Sequence, residues 1–254
     1  MQSNESYFTH RSVLLDEVLA LLQTENGGRF VDATLGLGGH TEAMLASSES
    51  ATVIGIDRDR KAIEMAEQRL ARFGSRFKSV HANFSEIASV VENKSIDGII
   101  ADLGVSSMQL DDESRGFSFR FDAPLDMRMN PDEGIETAAE LIARTDETDL
   151  ANIIYQYGEE RQSRKIARRI VEKRKNGEPI ETTRQLAELL ERTVKRGKND
   201  KIHPATRTFQ ALRIAVNGEL EIIEQFLSDS IKVLKTGGVL AVITFHSLED
   251  RIVK

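Results

Sequence analysis

The chain of 254 residues is 40% hydrophobic and 30% charged with a net charge of −7, which describes a soluble globular protein long enough for a large core. Because it contains no cysteine, disulfides, thiolate metal sites and cysteine nucleophiles are excluded, and its five scattered histidines predict no metal site. No apolar run approaches the roughly 18 residues that a membrane span needs, and residues 1–6 lack the features of a secretory signal, so we expect a cytoplasmic protein without membrane contact.

The first hundred residues alternate predicted helices and strands, which is typical of a parallel, doubly wound sheet. The predicted helices lie at residues 13–22, with Ser12 as N-cap, and at 42–46, 60–73 and 85–91. The predicted strands lie at residues 30–32, 51–57, 77–82 and 96–102.

A glycine-rich turn follows the first strand, where Gly36, Gly38 and Gly39 come shortly after Asp32. Glycine lets the backbone turn sharply and approach a ligand closely, and free N–H groups at a helix start favour an anionic group. The second strand ends in Asp57, 19 residues after Gly38, where nucleotide-binding α/β units place an acceptor for ribose hydroxyls. We interpret this segment as a nucleotide-cofactor site.

The residue at position 41 narrows the choice of cofactor. A dinucleotide fingerprint needs a third glycine where this chain has Thr41, so a nicotinamide cofactor is disfavoured. The order of Asp32 and then glycines instead resembles the first motif of class I S-adenosylmethionine methyltransferases. Asp57 and Asp102 both stand at strand ends, where α/β sheets bind ligands. For each of them a plain solvated strand end remains the alternative.

The alternation stops at Leu103, and residues 112–204 contain no convincing strand. Helical patterns at 137–143, 147–155, 159–175 and 182–194 predict a helical insertion. It separates two segments of the core, residues 1–111 and 205–254. The second segment begins with a helix at 206–234, divided near Asn217, and continues with a strand at 239–245. Because the chain stops soon after that strand, we expect it to be truncated.

The insertion carries two oppositely charged segments. Residues 111–160 hold 14 acidic residues against 4 arginines, whereas residues 161–213 hold 16 basic residues against 6 acidic ones. Such a chain can bind a polyanion on one surface despite an acidic average. Charge alone leaves a second interpretation equally open, in which the two segments pair with each other.

Many segments carry the distinctive pattern of one family. They lie at residues 10–18, 38–40, 102–107, 116–122, 124–129, 157–161, 203–214, 217–220 and 245–251. From residue 7 to 254 the chain closely resembles the bacterial small-subunit ribosomal RNA cytosine-N4 methyltransferases, the MraW (RsmH) family. The resemblance implies a class I methyltransferase fold with an inserted helical substrate domain, S-adenosylmethionine as cofactor, and N4 methylation of a cytidine in the decoding region of 16S rRNA in the small ribosomal subunit. It also implies relatives that extend past residue 254, and it leaves a homodimer open.

The family's cofactor site can be carried over motif by motif. It falls on Gly38, Gly39 and His40 at the methionine end, Asp57 at the ribose, Phe84 beside the adenine, and Asp102 and Gln109 near the methionine end. Cytosine C5 methylation needs a cysteine adduct, which this chain cannot form, whereas an exocyclic amine needs only positioning and an acceptor for its proton. Asp102 is the predicted catalytic acceptor; serving only the ammonium group of the cofactor is its alternative role. The Pro-Pro-aromatic motif of many amino methyltransferases is absent after Asp102.

The candidate RNA contacts are mostly basic. On the predicted helix at 159–175, Arg161, Arg164 and Arg168 share one face. The other candidates are His10, His203, Arg207, Arg213 and His246. A solvated surface is the usual explanation for a basic run, but the resemblance favours phosphate contacts. Phe117, Phe119 and Phe121 alternate, and we expect them to face a core rather than to form a platform for a base.

Three other functions remain open from the residues alone. A nicotinamide oxidoreductase would share the early sheet but not Thr41. A methyltransferase acting on DNA or a small molecule would keep the cofactor site without needing so basic an insertion. A non-catalytic RNA-binding assembly factor would keep the basic surface and have no use for Asp57.

Overall fold

The computed structural model describes residues 12–195 and 202–254. In chain order the strands are β1 (Gly28–Asp32), β2 (Ala51–Asp57), β3 (Phe77–His81), β4 (Ile96–Asp102) and β5 (Leu234–Ile243). The α-helices are α1 (Leu15–Leu22), α2 (Gly39–Ser47), α3 (Arg60–Leu70), α4 (Ile87–Val90), α5 (Ser107–Asp111), α6 (Ala138–Arg144), α7 (Glu147–Gly158), α8 (Ser163–Lys175), α9 (Thr183–Thr193), α10 (Thr206–Asn217), α11 (Glu219–Val233) and α12 (Ser247–Val253).

The described chain divides into two compact units. One contains the residues up to Gly104 together with Leu220–Lys254, and the other is Val105–Glu219. Their edges differ from the boundaries expected at 112 and 204, because α5 and α10 both belong to the second unit. None of the helices in the described parts is both long and apolar enough to cross a membrane.

The first unit is built on a parallel sheet with the strand order β3-β2-β1-β4-β5. Successive side chains of a strand point to opposite faces. Phe30 accordingly packs into one buried cluster with Met44 and Leu45, whereas Val31 packs into another with Phe226. Both faces are therefore covered, as is usual for parallel sheets.

The strands β2 and β4 have the predicted bounds, because each is an apolar run that ends in a carboxylate. Two other predictions about this unit were wrong. Ser12 does not cap α1, whose N-cap is Leu14 in the left-handed region without a side-chain cap bond. The last strand begins at Leu234 rather than at 239. Its register with β4 shifts between the pairs Ile96↔Leu234 and Gly98↔Val239, so the extra residues of β5 between these pairs form a bulge-like irregularity.

The second unit is helical. Its core gathers residues from α6, α7, α8, α9 and α10, including Leu150, Ile166, Ile170 and Leu190. Phe117 is buried in the same core, and Phe119 packs against it, which confirms the expectation of a core role for these two rings.

One helix of the second unit starts later than predicted. The pattern at 159–175 is broken because Glu159 adopts the left-handed region (φ 50°) directly after α7 ends at Gly158. The helix α8 therefore starts at Ser163, and Arg161 precedes it instead of sharing its face with Arg164 and Arg168.

Asn217, the last residue of α10, fixes a distant loop of the second unit. Its side-chain oxygen accepts from the Met129 amide at 2.8 Å, and its amide group donates to the Met127 carbonyl at 2.8 Å. Met127 is held in the left-handed region (φ 64°), which a non-glycine residue adopts only when its surroundings demand it.

Candidate active site

Three carboxylates lie at one edge of the sheet, as the strand pattern predicts. Asp32, Asp57 and Asp102 are the last residues of β1, β2 and β4. Because these strands are neighbours and parallel, their carboxyl ends meet where open α/β sheets bind ligands.

The glycine-rich turn between β1 and α2 is tied to β2. The Gly36 amide donates to Asp57 Oδ2 at 2.8 Å, and the Asp59 amide donates to Asp57 Oδ1 at 2.8 Å. Burial raises the pKa of Asp57 to about 6, although both hydrogen bonds oppose this shift. A Cβ on Gly38 (φ 77°) would lie 2.9 Å from Leu70 Cδ1, so the turn packs closely on α3 and only glycine fits there.

Gly39 and Thr41 shape the start of α2. A Cβ on Gly39 would lie 2.2 Å from the Ser12 hydroxyl, so a side chain there would require Ser12 to move. Thr41 occupies the position of the third fingerprint glycine, and its hydroxyl donates to Asp32 Oδ2 at 2.7 Å. Asp32 is only 1% exposed, and burial raises its pKa. Thr41 therefore stabilises a buried carboxylate under the turn.

His40 and Asp102 form the most polar part of the edge. His40 is 5% exposed, and its Nε2 lies 3.7 Å from Asp102 Oδ2. Burial lowers the pKa of His40, but the Asp102 and Asp32 carboxylates more than offset this, so the pKa is raised. Both ring nitrogens of His40 and Oδ1 of Asp102 are buried without a hydrogen-bond partner among the described residues.

The backbone around Asp102 is held from both sides. The Asp102 amide donates to the Thr34 hydroxyl at 2.6 Å, and the Leu103 amide donates to the Ile243 carbonyl at 3.0 Å. Buried polar atoms normally find partners. A side chain on so firmly held a backbone, with an unpaired buried oxygen, is therefore suited to a polar ligand.

Two other predicted cofactor residues have local partners. Phe84, which follows β3, is half-buried and meets Phe226 edge-on with 5.1 Å between ring centroids. Gln109 lies in α5 of the second unit, where its Oε1 accepts from the Ser106 amide at 3.1 Å as part of a capping box. Phe84 thus belongs to the sheet unit with the carboxylates, whereas Gln109 belongs to the other unit.

The predicted RNA contacts of the second unit fall into two groups. Arg161 and Arg164 are exposed and form no ion pair with any described residue. The others have acidic partners: Arg168 with Glu147 (3.6 Å), Arg207 with Glu160 (4.0 Å), His203 with Glu191 (3.0 Å) and Arg213 with Glu219 (2.7 Å). His203 also stacks on Phe119 with 4.5 Å between the rings.

These pairs bear on the two charged segments. Arg168, Arg184 and Arg207 of the basic segment pair with Glu147, Asp122 and Glu160 of the acidic segment. Some charges of the two segments therefore neutralise each other within the unit. Among the predicted contacts, Arg161 and Arg164 remain the best placed to bind an external anion.

The last two predicted contacts are His246 and His10. His246 is the N-cap of α12, with its Nε2 3.2 Å from Glu249 Oε1. His10 lies outside the described residues.

Sequence reasoning missed several residues of this edge. Thr34 carried no signal beyond its position before the glycines, and Thr41 was noted only as the residue in place of the third fingerprint glycine. Glu249 is 1% exposed, and its Oε2 accepts from the Phe245 amide at 2.8 Å. The three-residue spacing of His246 and Glu249 is that of a capping box and was the available signal.

Comparison with known proteins gives a consistent result. The model of the MraW methylase family matches residues 7–254. Ribosomal RNA small subunit methyltransferase H of Synechococcus elongatus is 52% identical over 253 residues, which cover 99% of this chain and 83% of that protein. The protein of the same name from Alcanivorax borkumensis is 50% identical over 257 residues, covering 100% and 81%.

Solved structures show weaker likeness. An rRNA methylase from Streptococcus thermophilus is 22% identical with a TM-score of 0.30, covering 41% of this chain and 57% of that chain. An S-adenosylmethionine-dependent O-methyltransferase from Thermotoga maritima is 18% identical with a TM-score of 0.33, covering 39% and 38%. Likeness at this level carries no conclusion of its own.

The family match and the strand order together confirm the predicted class I methyltransferase fold, and with it S-adenosylmethionine as the cofactor. They likewise confirm the resemblance recognised from the sequence. The chain belongs to the MraW methylase family.

Proposed function

We propose that the chain transfers a methyl group from S-adenosylmethionine to N4 of a cytidine in the decoding region of 16S rRNA, within the small ribosomal subunit. The observation that carries this proposal is the Asp102 carboxylate, held at the sheet edge with its buried Oδ1 free to accept a hydrogen bond. The names of the relatives, ribosomal RNA small subunit methyltransferase H, support an RNA substrate.

The cofactor would be held by the sheet unit. Gly38, Gly39 and His40 would receive its methionine end at the start of α2, where free N–H groups favour a carboxylate. Asp57 would accept from the ribose hydroxyls, and Phe84 would lie against the adenine. When bound, S-adenosylmethionine supplies an electrophilic methyl group on a sulfonium.

Asp102 would then act on the substrate amine. The lone pair of cytosine N4 is delocalised into the ring, so the amine needs an acceptor for its proton as the new bond forms. Asp102 would accept a hydrogen bond from that N–H and receive its proton as the amine nitrogen takes the methyl group that the bound cofactor would supply. The neighbouring His40, whose pKa is raised by the Asp102 and Asp32 carboxylates, has its Nε2 3.7 Å from Asp102 Oδ2.

The second unit would contribute RNA contacts. Arg161 and Arg164 have no acidic partner among the described residues, so phosphates can pair with them without breaking an internal ion pair. The histidines His10, His203 and His246 remain proposed RNA contacts, and Gln109 remains a proposed cofactor contact. Arg168, Arg207 and Arg213 are weaker candidates than Arg161 and Arg164, because each forms an ion pair within the unit.

The test is methyl transfer with labelled S-adenosylmethionine and small ribosomal subunits, followed by mapping of the label. We expect label on N4 of a single cytidine in the decoding region. Label on DNA but not on RNA, or on no nucleic acid despite bound cofactor, would contradict the proposal. The matched variants are Asp102→Asn and Asp97→Asn, which lie at opposite ends of β4.

A further inference from the structure

A largely exposed aromatic ring lies just beyond the carboxyl end of β5. Phe245 comes two residues after the strand and is 58% exposed. Single exposed apolar side chains are common and need no explanation by themselves. The surroundings of this ring are what set it apart.

The backbone that carries the ring is fixed. The Phe245 amide donates to Oε2 of Glu249 at 2.8 Å, and the His246 amide donates to the same oxygen at 3.3 Å. Glu249 is 1% exposed and closes a capping box with His246 at the start of α12. A buried carboxylate thus anchors the main chain of Phe245 while its side chain remains in solvent, which lowers the entropy lost when a ligand binds to the ring.

The ring lies beside the segment that directly follows the candidate acceptor. Asp102 of β4 pairs with Ile243 of β5, and Gly104 and Phe245 each follow two residues later. A Cβ placed on Gly104 would lie 3.5 Å from Cδ2 of Phe245. Gly104 adopts φ 102°, which only glycine takes readily, so the space above it stays free of a side chain.

The loop after β4 is where many amino methyltransferases carry their Pro-Pro-aromatic motif, and this chain has Gly104 and Val105 in that place. Resting on the proposed function, we propose that Phe245 supplies from the neighbouring strand the ring on which the target cytosine stacks. Adjacent strands run about 4.8 Å apart. A pyrimidine lying flat on Phe245 would then turn its exocyclic amine toward the Asp102 carboxylate, which lies one strand away and two residues back along the register.

Stacking on an aromatic side chain suits this task because it fixes the plane of a base without reading its sequence. In this arrangement Phe245 sets the plane of the cytosine, and Asp102 distinguishes its amine from the carbonyl of a uracil. An apolar side chain without a π face, such as leucine, would cover the base but not hold its plane.

The experiment compares Phe245→Ala, Phe245→Leu and Phe245→Tyr with the wild type on small ribosomal subunits, with kcat and KM measured separately. We expect a loss of kcat/KM of roughly tenfold to a hundredfold for Ala and Leu, and near-complete recovery for Tyr. Binding of S-adenosylhomocysteine, measured by calorimetry, should be unchanged in all three. Tyr155→Ala is the matched control, since Tyr155 on α7 is equally exposed (59%) and should be replaceable without loss.

The outcomes separate the two proposals. A wild type that does not methylate cytidine N4 contradicts the proposed function. A wild type that does so while Phe245→Ala stays within twofold of it contradicts stacking alone. Leu as active as Tyr would likewise overturn the stacking role, because apolar cover would then suffice. A variant with lowered thermal stability or weakened cofactor binding would assign Phe245 to the fold and not to the base.

Discussion

The two units of the chain place charge in different ways. At the edge of the sheet, Asp32 and His40 are almost completely buried, Asp57 has its pKa raised to about 6, and Asp102 keeps one oxygen unpaired among the described residues. In the helical unit most charged side chains are exposed, and many form ion pairs with one another.

This difference suggests that the sheet unit performs the chemistry and that the helical unit contributes to RNA binding. Buried ionisable groups are costly and are retained where their protonation or hydrogen bonding is used. Exposed ion pairs contribute little to stability and can be exchanged for contacts with another charged molecule. We therefore expect substitutions in the sheet unit to alter turnover and cofactor binding, and substitutions in the helical unit to alter stability or RNA affinity.

The largest effect is expected at Asp102. Replacing Asp102 with Asn keeps the shape but removes the proton acceptor, so single-turnover methyl transfer should fall by about a hundredfold or more, with S-adenosylhomocysteine still bound. Asp97→Asn, at the exposed other end of β4 and paired with Lys235, should leave transfer unchanged. Near-normal transfer by the Asp102 variant with cofactor bound would remove Asp102 from the chemistry.

The next largest effect is expected on the stability of the helical unit. Arg213 and Glu219 form a two-pronged ion pair at 2.8 and 2.7 Å with both side chains largely buried. Arg213→Ala leaves Glu219 without its partner and should lower the free energy of unfolding by about 3 kcal/mol, measured by urea denaturation. Arg184→Ala, which removes an exposed pair with Asp122, should cost less than about 1 kcal/mol. If the Arg213→Ala variant is as stable as the wild type but binds RNA more weakly, Arg213 contacts the substrate and does not mainly stabilise the fold.

A smaller effect is expected for the two unpaired arginines. Arg161→Ala/Arg164→Ala should weaken binding to small ribosomal subunits roughly tenfold and reduce the salt dependence by about two ion equivalents. The matched double variant is Arg168→Ala/Arg169→Ala, whose side chains pair with Glu147 and Glu172 and should matter less. Equal losses for both pairs would mean that internal pairing does not decide which arginines meet RNA.

The smallest effect concerns pH. The ionised form of Asp57 accepts from donors, and its pKa of about 6 means that it gains a proton as the pH falls from 7 to 5. Affinity for S-adenosylhomocysteine should therefore fall by up to about tenfold over that range, and Asp57→Asn should remove this contribution to the pH dependence.

The same group has the opposite effect on the unliganded fold. Because the folded pKa of Asp57 is raised above 3.8, the folded state binds more protons than the unfolded state between these values. Its contribution to stability therefore rises as the pH falls through 6.

For the cofactor prediction, an affinity for S-adenosylhomocysteine that is constant from pH 5 to 8 would show that Asp57 does not face the ribose.

Much of the sheet follows from local sequence, and less of the site does. β2 and β4 could be delimited correctly because apolar runs and terminal carboxylates mark them without reference to other segments. The start of α8 could not, since it depends on a left-handed conformation at Glu159 that residue type does not indicate.

The same limit applies to contacts. That Asp32, Asp57 and Asp102 share an edge follows from parallel pairing alone. The approach of His40 to Asp102 depends on the path of the glycine-rich turn, and the pairing of Arg213 with Glu219 depends on the break between α10 and α11 at Gly218. Such contacts arise from backbone geometry that no short motif encodes.

The late position of β5 in the chain has a consequence during synthesis. β4 is complete at residue 102, but its outer partner begins only at Leu234, after the whole helical unit has been translated. Until then an apolar strand has an open edge, which is a template for association with other chains. The Ile243 carbonyl that receives the Leu103 amide beside Asp102 also arrives only then. A nascent or prematurely terminated chain that lacks β5 should therefore be both inactive and prone to aggregate.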